Sequence, residues 1–209
     1  KKINVKIIKN NKFINFYSSY FFNKKFKLPY VSGKIAISKD YYSINKKCKW
    51  ITNEYSKKIT HLLRSKNDCI ISTSKSINID NSILNCRIEG LNNYKPDLFI
   101  IDLNLKLRRN LLLNKTTKKI KTILITLKEN EKKTIFFKKK GYKILLIKSL
   151  LKKNDFLLMF KQIYNLGYSK VFFETGLTFL NSLIKYKLLN NLYVFQNKKK
   201  IGKNGFNNN

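Results

Sequence analysis

What most constrains this chain is the alternation of short apolar runs with amphipathic stretches. Runs of strand length stand at Tyr30–Ser38, Cys69–Ser72, Leu98–Ile101, Thr122–Leu127, Lys143–Ile147, Val171–Phe173 and Asn191–Phe195. Helical stripes lie among them: Tyr55, Ile59, Leu62 and Leu63; then Phe156, Met159, Phe160 and Ile163; then Leu177, Leu180, Leu183, Ile184 and Leu188. Strands apolar along their whole length are buried on both faces, and intervening helices supply the crossovers that parallel pairing needs. The pattern predicts an α/β domain, a mostly parallel sheet flanked by helices on both faces. Such sheets bind ligands beyond the carboxyl ends of their strands, where helix N-termini attract anions.

The first run is not uniform. Val31, Gly33, Ile35 and Ile37 form one face, Ser32, Lys34, Ala36 and Ser38 the other. The second face is small apart from Lys34. It leaves room for a ligand over the sheet, with one ammonium aimed at it. Thr52 reads as an N-cap with Glu54 in the first turn of a helix that runs to about Ser65. Gly167 reads as the C′ residue of the helix that carries Phe156 to Ile163. Lys1–Leu28, with Phe16, Tyr17, Tyr20, Phe21 and Phe22, reads as a connecting arm or the tail of a preceding unit.

Charge alone suggests a nucleic-acid binder: Lys and Arg number 45 against 11 acids, a net +34. Yet only Arg64, Arg87, Arg108 and Arg109 are Arg, and the lysines are spread from Lys1 to Lys203. Lys, Asn, Ile, Phe and Tyr are residues of AT-rich codons, so base bias explains the look. Any nucleic-acid binding is then non-specific, and the field also attracts phosphorylated metabolites. Three cysteines without a CxxC pair suit a reducing, cytoplasmic compartment. No membrane-length apolar run and no signal segment is visible. Cys48, Cys69, Cys86 and His61 lack zinc-ligand spacing, so no metal is expected, and His61 reads as structural or exposed.

Neither a GxGxxG fingerprint nor a P-loop is present, so a nucleotide site here has another design. Val171–Thr178 reads as a buried strand, a lone carboxylate at Glu174 and a Gly176 that opens a helix. The free N–H groups of that turn suit a phosphate, and an ordinary strand-to-helix turn explains it equally well. Arg64 and Arg87 survive in a chain that has otherwise turned to Lys, which suits bidentate phosphate recognition or a salt bridge. Trp50, the only Trp, suits stacking on a base or a place in the core.

In order, the chain carries Pro29-Tyr30-Val31-Ser32-Gly33-Lys34, Ser38-Lys39-Asp40, Trp50-Ile51-Thr52, Leu63-Arg64, the stretch Ser74 to Arg87 with Ile79-Asp80-Asn81, and Phe173-Glu174-Thr175-Gly176-Leu177-Thr178-Phe179. This series resembles the reductase domain of the bifunctional riboflavin-biosynthesis deaminase/reductase family, over roughly Pro29 to Phe195. The resemblance implies a dihydrofolate-reductase-like fold over residues 29–209, shortened at its C-terminus, with residues 1–28 as the tail of a deaminase unit. It implies NADPH-dependent reduction of the ribosyl group of 5-amino-6-(5-phosphoribosylamino)uracil to ribityl. By position, Lys34, Cys48, Arg64, Leu84, Arg87 and Glu174 would contact substrate. Ala36, Trp50, Ser76, Asp80, Gly176, Leu177 and Thr178 would contact NADPH. Lys34, Asp80 and Glu174 would be catalytic. Expected partners are the phosphorylated substrate, a deaminase half on the same or another chain, and a second copy in a homodimer. Departures stand at Tyr41, where the family has Gly and the turn is expected to differ, at Lys75, at Asn81-Ser82, at Thr175 and at Leu177. The other readings are a basic nucleic-acid-binding module and a truncated, inactive reductase.

Overall fold

The computed structural model describes Lys6 and residues 10–48, 50–91, 95–117 and 119–207. Part of the N-terminal arm, and Lys49 ahead of Trp50, thus lie outside the described residues. Seven parallel strands form the main sheet: β1 (Tyr30–Ile37), β3 (Cys69–Thr73), β4 (Asp97–Ile101), β5 (Thr122–Leu127), β6 (Lys143–Ile147), β7 (Lys170–Phe173) and β8 (Asn191–Gln196). Their spatial order is β6-β5-β4-β3-β7-β1-β8. A second, two-stranded antiparallel sheet joins β2 (Ile44–Asn45) to β9 (Gly205–Phe206). The helices are α1 (Asn11–Phe16), α2 (Ser18–Phe26), α3 (Glu54–Ser65), α4 (Ser74–Asp80), α5 (Ile135–Lys139), α6 (Lys153–Asn165) and α7 (Leu177–Lys185).

Every expected strand is present to within a residue or so of its expected bounds. The alternation of side chains divides the core in two. Ile71, Phe99, Ile101, Ile123, Ile125 and Phe173 face Phe156, Met159, Phe160 and Ile163 of α6 and Leu180 and Leu183 of α7. Ile70, Leu98, Ile100 and Leu124 face Ile77 of α4, Phe137 of α5 and Tyr142. Helices therefore cover both faces, as expected. Gly33 belongs to the first face: a Cβ there would stand 3.0 Å from Leu180 and 3.2 Å from Leu189, so its absence lets α7 close on β1.

One local expectation changes, at the start of α3. The N-cap of α3 is Asn53, not Thr52; its side chain accepts the Ser56 amide at 3.0 Å, one residue later than the reading from Glu54 suggested. The arm contains two short helices, and buried Asn23 of α2 ties it to the domain by donating to the Leu28 and Ser169 carbonyls. Tyr41, after Asp40, takes a left-handed backbone (φ 64°), a conformation that Gly adopts freely and Tyr rarely. Gly167 (φ 96°) follows α6 as its C′ residue, as expected. Among the described residues no helix is long and apolar enough to cross a membrane.

Candidate active site

All seven main strands run the same way, so their carboxyl ends share one edge. Three central strands deliver the expected residues there. β1 carries Lys34 and, two residues on along the same face, Ala36. β7 ends at Phe173 and hands the chain to Glu174. β3 ends at Thr73, whose hydroxyl caps α4 and holds Ser76: its Oγ1 accepts the Ser76 amide at 3.3 Å and lies 3.0 Å from the Ser76 hydroxyl.

The strongest interaction joins two residues 110 positions apart. The Arg64 guanidinium meets Glu174 in a fork: Nε to Oε1 at 2.5 Å and Nη2 to Oε2 at 2.9 Å. Its third nitrogen, Nη1, donates to the Asn85 carbonyl at 2.7 Å. Both side chains of the pair are only 11% exposed. Glu174 is further fixed through its backbone, its amide donating to the Ile71 carbonyl and its carbonyl accepting the Ser72 hydroxyl at 2.7 Å. Arg64 thus turns each of its three side-chain nitrogens on a protein group.

Lys34 belongs to the same group. Burial pulls its pKa below the ordinary lysine value; Glu174 opposes that pull, Arg64 adds to it, and Asp80 opposes it more weakly. Asp80 acts on Lys34 through its charge, from the exposed last turn of α4. Arg64 and Glu174 are thus joined by direct bonds, and Lys34 lies within reach of their charges and of that of Asp80.

Leu84 is half-buried against the second core cluster and takes a left-handed backbone (φ 54°), which turns the chain toward Arg87. Arg87 is exposed, with no carboxylate partner among the described residues. Its amide donates to His61 Nδ1 at 3.1 Å, and that nitrogen lies 3.5 Å from Arg64 Nη1. Burial, then Arg64 and Arg87, lower the His61 pKa, which favours the neutral ring that can accept this bond. His61 thus sets the Arg87 segment beside α3. Sequence reasoning saw only a histidine without a metal pattern; its proximity to Cys86 and Arg87 is a product of the fold.

Gly176 is the N-cap of α7 and leaves the first amides of that helix without a side-chain cap. It faces Ser76: a Cβ on Gly176 would be 4.0 Å from the Ser76 hydroxyl. Two expected cofactor residues, from the segments that follow β3 and β7, thus face each other. Beside them the Thr175 hydroxyl oxygen is buried with no hydrogen-bond partner. Uncapped amides, a glycine and an orphaned hydroxyl suit an anionic group such as a cofactor phosphate. Leu177 is half-buried and Thr178 exposed in the first turn of α7, while Lys75 is exposed in that of α4.

Cys48 and Trp50 form a second group, on the loop between β2 and α3. Trp50 is 55% exposed, so it is not a core residue, and the Lys57 ammonium sits 4.2 Å from its ring centre. The Cys48 thiol donates to the Trp50 carbonyl at 3.4 Å. Both line a cleft of about 390 Å³. A residue that sequence reasoning missed is Asp102 at the end of β4. Its buried carboxylate accepts the Ser74 hydroxyl and the Lys106 amide at 2.8 Å and the Leu107 amide at 2.7 Å. It joins the start of α4 to the loop after β4.

Residues 29–206 match the model of the RibD C-terminal domain. The riboflavin biosynthesis protein RibD of Aquifex aeolicus is 29% identical over 170 residues, 80% of this chain and 46% of that protein. The deaminase/5-amino-6-(5-phosphoribosylamino)uracil reductase of Thermotoga maritima superposes with a TM-score of 0.74 at 18% identity, over 94% of this chain and 52% of that one. The riboflavin biosynthesis reductase Rib7 of Saccharomyces cerevisiae gives 0.71 at 20% identity, over 94% and 87%. This chain thus spans about half the length of its bifunctional relatives. The structural matches share its fold, the dihydrofolate-reductase-like arrangement implied by the sequence motifs. With the match over nearly the whole described domain, the chain belongs to the RibD C-terminal domain family.

Proposed function

We propose that this protein is an NADPH-dependent reductase of 5-amino-6-(5-phosphoribosylamino)uracil, acting in riboflavin biosynthesis. The observation that carries the reading is the Arg64–Glu174 fork beside Lys34 at the carboxyl edge of the sheet. NADPH would be held by Ala36, Trp50, Ser76, Asp80 and the Gly176–Thr178 turn, and when bound it supplies the hydride. The chain's own residues do the rest. Arg64 holds Glu174 in place and keeps its outer lone pairs aimed at sugar hydroxyls. Arg64 therefore acts through Glu174, and Arg87, exposed and with no carboxylate partner among the described residues, is the phosphate anchor. Cys48 and Leu84 border the substrate.

Reduction at the sugar carbon opens the ring, and the ring oxygen needs a proton. Burial makes Lys34 a readier donor than an ordinary lysine, so it is the general acid, with Glu174 and Asp80 orienting its ammonium. The substrate would come from a deaminase, on the same polypeptide or a separate chain, and a homodimer is the expected assembly. The test is NADPH oxidation with the deaminated phosphoribosylaminopyrimidine. Turnover that disappears in Lys34→Ala and Glu174→Gln supports the reading. Intact turnover in either variant would remove that residue from the mechanism. A folded protein that binds no NADPH would sink the reductase reading and favour the basic-module one.

A further inference from the structure

After β8 the chain turns back and lies across the loop that follows β1. Three sets of bonds fasten residues 197–207 there. Nearest β8, the Asn197 side chain donates to the Ile51 carbonyl, and the Lys39 amide donates to the Lys199 carbonyl at 3.0 Å. In the middle, the Asp40 carboxylate accepts the Ile201 amide at 3.0 Å and the Gly202 amide at 2.8 Å, and takes the Ser38 hydroxyl at 2.6 Å. At the far end β9 pairs with β2, the Lys46 amide donates to the Asn204 carbonyl at 2.9 Å, and Asn207 accepts both the amide and the hydroxyl of Ser43. The Tyr42 ring presses against Gly205 so closely that a Cβ there would overlap it.

The loop held in this way carries Cys48 and Trp50. Their cleft has two walls: Lys47, Cys48 and Trp50 on the loop, and Lys199, Lys200 and Asn204 on the returning segment. One wall of this part of the site therefore exists only while the segment is fastened. Among the described residues, Asp40 is the one side chain that ties the end of β1, through Ser38, to the middle of the segment. Its hydrogen bonds, that from Ser38 foremost, hold its pKa down at about 2, so the latch stays ionised across the physiological range.

We infer that residues 197–207 are a strap that positions the Cys48–Trp50 wall of the site, and that Asp40 is the positioning residue that latches it. The catalytic consequence rests on the reductase reading; the structural one rests on the hydrogen bonds alone.

Trp50 is the only tryptophan, so its fluorescence reports on this loop directly. The full chain is compared with Asp40→Ala, Asp40→Asn and Gly205→Ala. The first two act on the latch, and the third pushes the far end of the strap off Tyr42. Asp40→Ala and Gly205→Ala are expected to lower Trp50 anisotropy and raise its quenching by acrylamide, with far-UV circular dichroism unchanged. They are expected to lower kcat/KM by roughly 10- to 100-fold, mostly through KM, as a displaced binding wall requires. Asp40→Asn keeps one acceptor oxygen and is expected to fall between. Unchanged anisotropy and quenching in both Asp40→Ala and Gly205→Ala would overturn the latch, whatever the activity. Altered fluorescence with unchanged kcat/KM would overturn the positioning role. If the unaltered protein turned over nothing, the reductase reading and the catalytic half of the inference would fall together, and Trp50 would still decide the latch.

Discussion

Lys34 is held by the fold in a state that ordinary stability would not select. Its folded pKa is lowered, chiefly by burial, so the unfolded chain binds that proton more tightly. The charged side chain therefore costs stability at neutral pH. The cost is relieved as pH rises from the folded pKa toward the unfolded value of 10.5. Replacing Lys34 with Met is expected to raise the melting temperature at pH 7 while turnover drops at least about a hundredfold, the usual share of a general acid. Calorimetry and NADPH oxidation on one preparation check both halves. Turnover in the unaltered protein should also fade at alkaline pH sooner than an ordinary lysine would dictate, with Glu174, Arg64 and Asp80 as the charges that set the limb. Arg64→Ala leaves Glu174 buried without its cation and is expected to cost about 3 kcal/mol in denaturant unfolding, with activity lost as well. The residue types at this site were legible in the sequence, because an Arg kept among lysines and a lone Glu before a glycine stand out. Their pairing was not: it depends on β7 lying beside β3, which no local pattern reveals. For that reason the sequence left Arg64 open between a phosphate and a salt bridge, and the fork is turned on Glu174.

At the scale of elements, the strands were legible because each is a buried apolar run bounded by polar residues. The short helix α4 was not. Ser-Lys-Ser-Ile-Asn-Ile-Asp has weak helix propensity and one buried residue, Ile77, so tertiary contacts rather than propensity hold it. Asp102 supplies one of these contacts, through Ser74, and Asn78 makes two more with the loop after β4. Asp102→Ala strands a hydroxyl and two amides in a buried place and is expected to destabilise the protein by about 2–3 kcal/mol. It should also weaken NADPH binding, because Ser76 and Asp80 ride on α4. Denaturant titration and equilibrium binding test the two effects, and a stability loss without a binding loss would separate α4 from the cofactor. The strap was equally hidden, since its bonds join backbone groups and short polar side chains about 160 positions apart in the chain, as between Asp40 and Ile201.

For the whole molecule, the surplus of 34 positive charges meets only three ion pairs among the described residues. Self-repulsion then opposes compaction, and sodium chloride should relieve it by screening. Each kcal/mol of repulsion removed should raise the melting temperature by roughly 2–4 °C for a chain of this size. A melting temperature that does not move between low and high salt would show that the lysines are too well solvated to repel. Any affinity for DNA should collapse over the same range, as counterion release requires. The order of strands carries a last consequence, for synthesis rather than for catalysis. β3, β4, β5 and β6 are neighbours in sequence and in space, and can pair as soon as each leaves the ribosome. β1 pairs only with β7 and β8, whose first partner residue comes some 140 positions later. At ordinary elongation rates the strand that carries Lys34 waits roughly 7 to 28 seconds without a partner. During that wait its apolar face needs shelter from chaperones or from the half-built sheet, so a stalled or shortened transcript would release a sticky fragment rather than a smaller enzyme.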